Sequence, residues 1–190
     1  MTLVSIGAAH EPDWVREVLS FWFLELGPKQ WFGKNAEVDA RIRMRFGALH
    51  EQLLATQAAG LESLAAKQAA IIVLDQFSRN LHRDSARAFA GDATARRLAR
   101  EVVDAGGDTG LPPDQRMFLY LPFEHSESLA DQEQSMRLYA RLGNAEWSRY
   151  AQAHHDLVAR FGRFPHRNAV LGRTSTPEEV EAMKGPMGHF

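Results

Sequence analysis

Cysteine is absent from all 190 residues. That excludes disulfides, thiolate catalysis and a Cys-ligated zinc site, and it fits a reducing, cytoplasmic setting. A surplus of positive charge is also missing: 22 Lys and Arg stand against 24 Asp and Glu, a net charge of −2. Binding to nucleic acid or to an anionic membrane calls for a basic surface, so neither partner is expected, although a local basic patch is allowed. Long apolar runs are lacking too. "AAIIVLDQF" is the most apolar stretch, and Asp75 ends it well short of the about 18–20 residues that a membrane span needs. The opening "MTLVSIGAAHEPDWV" has neither the charged start nor the apolar region of a signal peptide, so none is expected. No segment alternates apolar and polar residues as a half-buried strand does. There is no GxSxG motif, and no consensus repeat with a period of roughly 34–40 residues.

What is there is helical signal. Hydrophobic residues make up 45% of the chain, enough to bury a core in a single domain spanning residues 1–190. After Pro12, the residues Trp14, Val18, Leu19, Trp22, Phe23 and Leu26 recur at helical spacing until Gly27-Pro28 stops them. Asn35 can cap a longer helix with a stripe of Val38, Ile42, Phe46, Leu49 and Leu53. A third helix runs from Ser63 to Asn80. Asp84 and Asp92 each offer a cap, for a short helix through Phe89 and for one carrying Ala95, Leu98, Val102 and Val103. "LPPDQRMFLYLP" reads as a short apolar helix that Pro122 breaks. Ser126 or Ser128 opens the next, Asn144 the one after, and Thr176 the last, with Pro177 at its first position and Glu179 at the capping-box position. Connections are short, so successive helices are expected to pack antiparallel. The expected fold is all-α, an array of helical hairpins. The tail "KGPMGHF" is expected to fray.

Three stretches put polar residues in unexpected places. In "AIIVLDQFSRN", Asp75 and Arg79 share one face of an apolar helix, as do Gln76 and Asn80. In "LYLPFEHSESLADQEQS", Glu124 and His125 follow an apolar helix directly, with Glu127 and Asp131 beyond them. In "RFGRFPHRNAVLGRTST", Arg163, His166, Arg167 and Asn168 crowd a loop stiffened by Pro165. The helix before that loop carries His154, Val158 and Phe161 on one face. Each stretch has a structural reading: an intrahelical ion pair, a helix start with solvated acids, and arginines that neutralise those acids. Each also has a functional one. Buried polar groups demand partners, which are protein or ligand. Glu124 and His125 are a carboxylate and an imidazole able to move a proton, and arginine forks match carboxylate or phosphate. His125, His154, His155 and His166 lack HExxH spacing, so no metal is expected, and no cofactor can be named.

The segments "LDQFSRN", "LPFEHSE" and "RFGRFPHRNAVLGRTSTPEE", with "VLSFWF" and "WFGKNAEVDARIRMRF" before them, resemble the signature segments of the bacterial domain-of-unknown-function family 924. The resemblance covers about Trp14 to Glu181. It implies an all-helical, tetratricopeptide-like fold in one domain, and it implies no activity.

The leading functional reading is one polar cavity for a small anionic or zwitterionic ligand. Asp75, Arg79, Asn80, His154, Arg163, His166, Arg167 and Asn168 are the binding candidates, and Glu124 and His125 the acid–base pair of a hydrolase-like reaction. A second reading is a tetratricopeptide-like module that binds a peptide in a groove. A third is a polar cluster that only staples helices together. The first reading requires Asp75, Arg79, Glu124, His125, Arg163 and His166 to converge within about 10–12 Å, the width of one ligand pocket.

Overall fold

The computed structural model describes residues 11–185, and among these there is no strand. The fold is all-α, as the periodicity requires. No helix among the described residues is long and apolar enough to cross a membrane. The expectations for the first ten residues and for most of the "KGPMGHF" tail lie outside the described residues.

Helix α1 (Asp13–Ser20) passes directly into a π-helical segment, Phe21–Glu25. The wider turn brings Phe21 inward beside Trp22, and both are fully buried. Helix α2 (Pro28–Trp31) is a single turn whose Trp31 indole donates to the Trp22 carbonyl at 2.9 Å. Asn35 caps α3 (Ala36–Thr56) by accepting from the backbone N–H of Glu37 and Val38. The buried stripe of α3 is Val38, Ile42, Phe46, His50 and Leu53. The expected stripe had Leu49 in place of His50; Leu49 packs only at the margin of the core.

The next rod is α4 (Leu64–Ile71), a second π segment (Ile72–Phe77) and α5 (Ser78–Leu81), run together. All six residues of this π segment are buried. A helix apolar on every side must lie inside the protein, and this one carries Asp75 and Gln76 in with it. A 3-10 turn, Ala86–Phe89, is capped by Ser85 rather than by Asp84, whose backbone is left-handed. Helix α6 (Asp92–Asp104) follows Gly91, not an Asp92 cap. Gly91 is required where it stands, because a Cβ there would lie 2.3 Å from the Leu74 carbonyl oxygen. That close approach docks the start of α6 onto the π segment.

Helix α7 (Pro113–Glu124) runs through Pro122 instead of breaking at it. Pro122 has no N–H for the carbonyl four residues back, but only one turn remains, and the His125 N–H still reaches Leu121 O at 2.8 Å. The result buries Glu124 inside the helix end. Helices α8 (Leu129–Ala140) and α9 (Ala145–Phe161) pack in sequence after α7. Asn144 caps α9, and Gly162 ends it in the left-handed conformation. A 3-10 turn (Pro165–Arg167) and α10 (Pro177–Ala182), with the Thr176–Glu179 capping box, complete the described chain. Phe21, Trp22, Phe46, Phe77 and Phe118 meet edge-on, tilted or stacked at the centre of one core.

Candidate functional site

Polar residues from five separated regions line a cavity of about 280 Å³, Lys34 between α2 and α3 among them. The π segment and α5 supply Gln76, Arg79 and Asn80; the end of α7 supplies His125, α9 supplies His154, and the 3-10 turn after it supplies His166 and Arg167. A second cavity of about 640 Å³ adjoins the first. Both are bordered by Trp31, Phe32, His125 and His154. The second is the more apolar, with Met117, Leu121, Trp147 and Tyr150 in its wall and Glu124 at its base. One chamber is therefore cationic and the other aromatic, with two imidazoles between them.

Asp75 and His125 form a dyad. His125 Nδ1 lies 2.8 and 3.0 Å from the two carboxylate oxygens of Asp75. Burial alone would raise the Asp75 pKa, but the Arg79 guanidinium and His125 outweigh it and hold the group well below the usual carboxylate range. An ionised Asp75 accepts only, so Nδ1 carries the proton and Nε2 is left as a bare lone pair. Burial lowers the His125 pKa despite Asp75, which keeps the ring neutral. Since Asp75 is 1% exposed and His125 borders both cavities, the Nε2 edge is the one presented to them. This is the tautomer a general base needs.

Glu124, one residue earlier, has the opposite character. Burial pushes its pKa up to about 8, against the nearby Tyr139 hydroxyl and with the help of the Asp75 charge. It holds its proton at neutral pH. Its Oε1 lies 3.0 Å from His154 Nδ1, which also donates to the Tyr150 carbonyl at 2.9 Å. Burial, with His125 nearby, pulls His154 down to about 3. Adjacent groups with opposed shifts, one holding a proton and one able to take one, are the arrangement acid–base sites use.

The two arginines of the cavity differ. Arg79 is committed. It bonds the Asp75 carbonyl, pairs with the Asp75 carboxylate at 3.3 Å, and holds Asp92 with both ends of its fork at 3.1 and 3.2 Å. Arg167 is buried yet makes no side-chain hydrogen bond among the described residues. Its guanidinium lies between the rings of Phe89 and Phe164, 4.6 and 4.5 Å from their centroids, and its closest carboxylate, Asp92, is 3.8 Å away. Burial, with Arg79 as neighbouring cation, lowers its pKa to about 10. Asp75 and Asp92 stand against Arg79 and Arg167, but the buried Arg167 Nε has no hydrogen-bond partner among the described residues.

Other expected residues lie elsewhere. Arg163 lines neither cavity: it grips Glu179 at 2.6 and 2.9 Å and bonds the Thr174 carbonyl. Asn168 joins it on Glu179 at 3.1 Å and on Ser175 at 3.0 Å. Asn80 reaches the first cavity but gives its amide to Asp39 at 2.7 Å. Glu127 ties the loop in place instead of being solvated. It takes the Phe164 N–H at 2.8 Å and the Arg173 fork at 2.8 and 2.9 Å. Asp131 is likewise held, by Arg96, Arg100 and Ser126. Sequence reasoning passed over Asp92, the aromatic pair Trp31 and Phe32, and Tyr139. Asp92 read as a helix cap, and nothing local marks Trp31, Phe32 or Tyr139 as cavity residues.

No curated protein gives a match to this chain. A solved structure of a protein of unknown function from Agrobacterium tumefaciens, ATU0120, is 38% identical, with a TM-score of 0.85, over 90% of this chain and 97% of that one. Its fold is the same all-helical arrangement. The chain belongs to the family described as bacterial proteins of unknown function, DUF924, whose model matches residues 18–187.

Proposed function

We propose that the paired cavities bind a small ligand with an anionic head and an apolar body. Arg167 takes the carboxylate or phosphate, and the aromatic chamber takes the rest. The supporting observation is Arg167 itself. Its buried Nε has no hydrogen-bond partner among the described residues, and leaving a buried donor unbonded is costly, so an arginine held between two rings, with its closest carboxylate, Asp92, 3.8 Å away, is ready for an external acceptor. Volumes of about 280 and 640 Å³ suit a compact molecule, and they favour it over an extended peptide in a groove. The acid–base reading rests on the neighbouring groups. His125 Nε2 would take a proton from water, the resulting hydroxide would add to a carbonyl or phosphoryl group, and Glu124 would protonate the departing atom.

Urea denaturation of wild type and Arg167→Met, each with and without ~50 mM phosphate, tests the anion site. Phosphate should raise the wild-type midpoint and leave the variant's unchanged. A variant that loses ~3–5 kcal/mol with or without phosphate would mark Arg167 as a strut for buried acids, and the ligand reading would fall.

A further inference from the structure

A second cluster of ligating side chains lines neither cavity. It joins the middle of α3 to the end of α5 through His50, Glu51 and His82. His50 is the one polar member of the buried α3 stripe and is fully enclosed. Its Nε2 lies 2.8 Å from Ser78 Oγ. The Ser78 hydroxyl gives its own proton to the Leu74 carbonyl at 2.6 Å, so Oγ can only accept from the ring. The proton is thereby fixed on Nε2, and Nδ1 is left as a lone pair. That Nδ1 is shut off from water and has no hydrogen-bond partner, and the same is true of His82 Nε2.

Both atoms face the same carboxylate. Glu51 Oε1 lies 3.6 Å from His50 Nδ1 and 3.9 Å from His82 Nε2. One ligand atom from each of the three residues falls within 4.8 Å of the other two. These separations are too long for hydrogen bonds. They are close to what a metal would impose: with metal–nitrogen bonds of about 2.0–2.1 Å, tetrahedral ligand atoms stand about 3.3 Å apart. Two of the edges need to shorten by only a few tenths of an ångström. Glu51, the most exposed of the three side chains at 56%, leaves a fourth position open to solvent.

We propose that His50, Glu51 and His82 form a three-ligand site for a borderline divalent cation of the Zn²⁺ or Co²⁺ class. Two imidazoles and one carboxylate suit those ions and not Ca²⁺ or Mg²⁺, which take oxygen ligands. The outer partners are also in place. Ser78 sets the His50 tautomer, and Arg87 holds both oxygens of Glu51 at 2.7 and 2.9 Å, using only part of the carboxylate's lone-pair capacity. The Arg87 charge opposes a cation, so the affinity is moderated by it.

The test is titration of tag-free, chelator-stripped full-length protein with Zn²⁺ by calorimetry and with Co²⁺ by visible absorption. Wild type should take up one equivalent and give the intense absorption of tetrahedral Co²⁺. Glu51→Gln and His82→Asn, at the more exposed positions, keep the fold and should each weaken binding by more than ~10-fold. Ser78→Ala, which touches no metal, should weaken it by about 10–100-fold through the freed tautomer. His125→Asn and His166→Asn should bind as wild type does. Absence of binding to wild type overturns the site, as does smaller weakening in both Glu51→Gln and His82→Asn. So does loss of binding in His125→Asn or His166→Asn, which would move the metal to the cavity.

Discussion

Arg163 and Arg167 stand four residues apart in one loop and have opposite surroundings. Arg163 donates to both oxygens of Glu179 and to the Thr174 carbonyl, so a buried acid claims it. Arg167 is packed between two phenylalanine rings and donates to nothing among the described residues. The first side of the loop is a clamp that docks α10. The second faces the cavity. A single basic stretch thus holds one arginine that a buried carboxylate claims and one that lines a cavity. Residue type and local spacing do not separate them; the acid that each one meets does.

The largest effect is expected on the clamp side. Glu179 is buried and accepts from Arg163, from Asn168 and, at 2.8 Å, from the Thr176 N–H. Glu179→Ala removes all of these and the capping box, and should cost roughly 3 kcal/mol in urea unfolding. A loss no larger than that of a surface substitution would dissolve the contrast between the two sides.

The regions should also separate by pH. Arg163 and the other donors around Glu179 hold its pKa at about 2, so the clamp weakens only as pH falls below the ordinary glutamate value. The cavity responds nearer neutrality. Between 4.5 and about 8 folded Glu124 keeps a proton that the unfolded chain releases, so its contribution to stability is lost as pH rises through that window. His154 works the other way below 6.5, because the unfolded chain binds a proton there that the folded one, with a pKa of about 3, does not. The two slopes oppose each other between 4.5 and 6.5. Above 6.5 Glu124 acts without that opposition, and stability should fall by about 2 kcal/mol by pH 8. Glu124→Gln should flatten that decline in a pH series of denaturation midpoints. An unchanged slope in the variant would mean that Glu124 is ionised in the folded protein and is no proton donor.

The smallest effect is expected at Arg167. In the absence of anions, Arg167→Met exchanges ring stacking for a thioether between the same rings, a change of about 1 kcal/mol or less. Arg163→Met should lower the midpoint further, and phosphate should not restore it. Equal losses for the two arginines would erase the distinction on which the binding proposal rests.

The helices were legible because their signals are local. Asn35, Asn144 and Thr176 cap through bonds that span two or three residues, and Gly162 ends α9 with its own left-handed backbone. Such contacts are written in adjacent letters. Pro122 was misread because its effect depends on how much helix remains after it, and one turn costs little. His50 was missed because a stripe drawn by hydrophobicity prefers Leu49, whereas the actual rotation of α3 turns the histidine toward Ser78 on another helix. The site was legible only as a set of candidates. That polar residues next to apolar sequence are drawn inward follows from the sequence; that Asp75 meets His125 fifty residues away, while Glu179 claims Arg163 from sixteen, does not. Those pairings depend on how the finished helices pack, on the glycine contact between α6 and the π segment, and on which donors then lie within 3 Å of an acceptor. Sequence alone determined which segments are helical and which side chains require partners, and the tertiary structure decided which partner each one has and that Arg167 Nε is left without a hydrogen bond among the described residues.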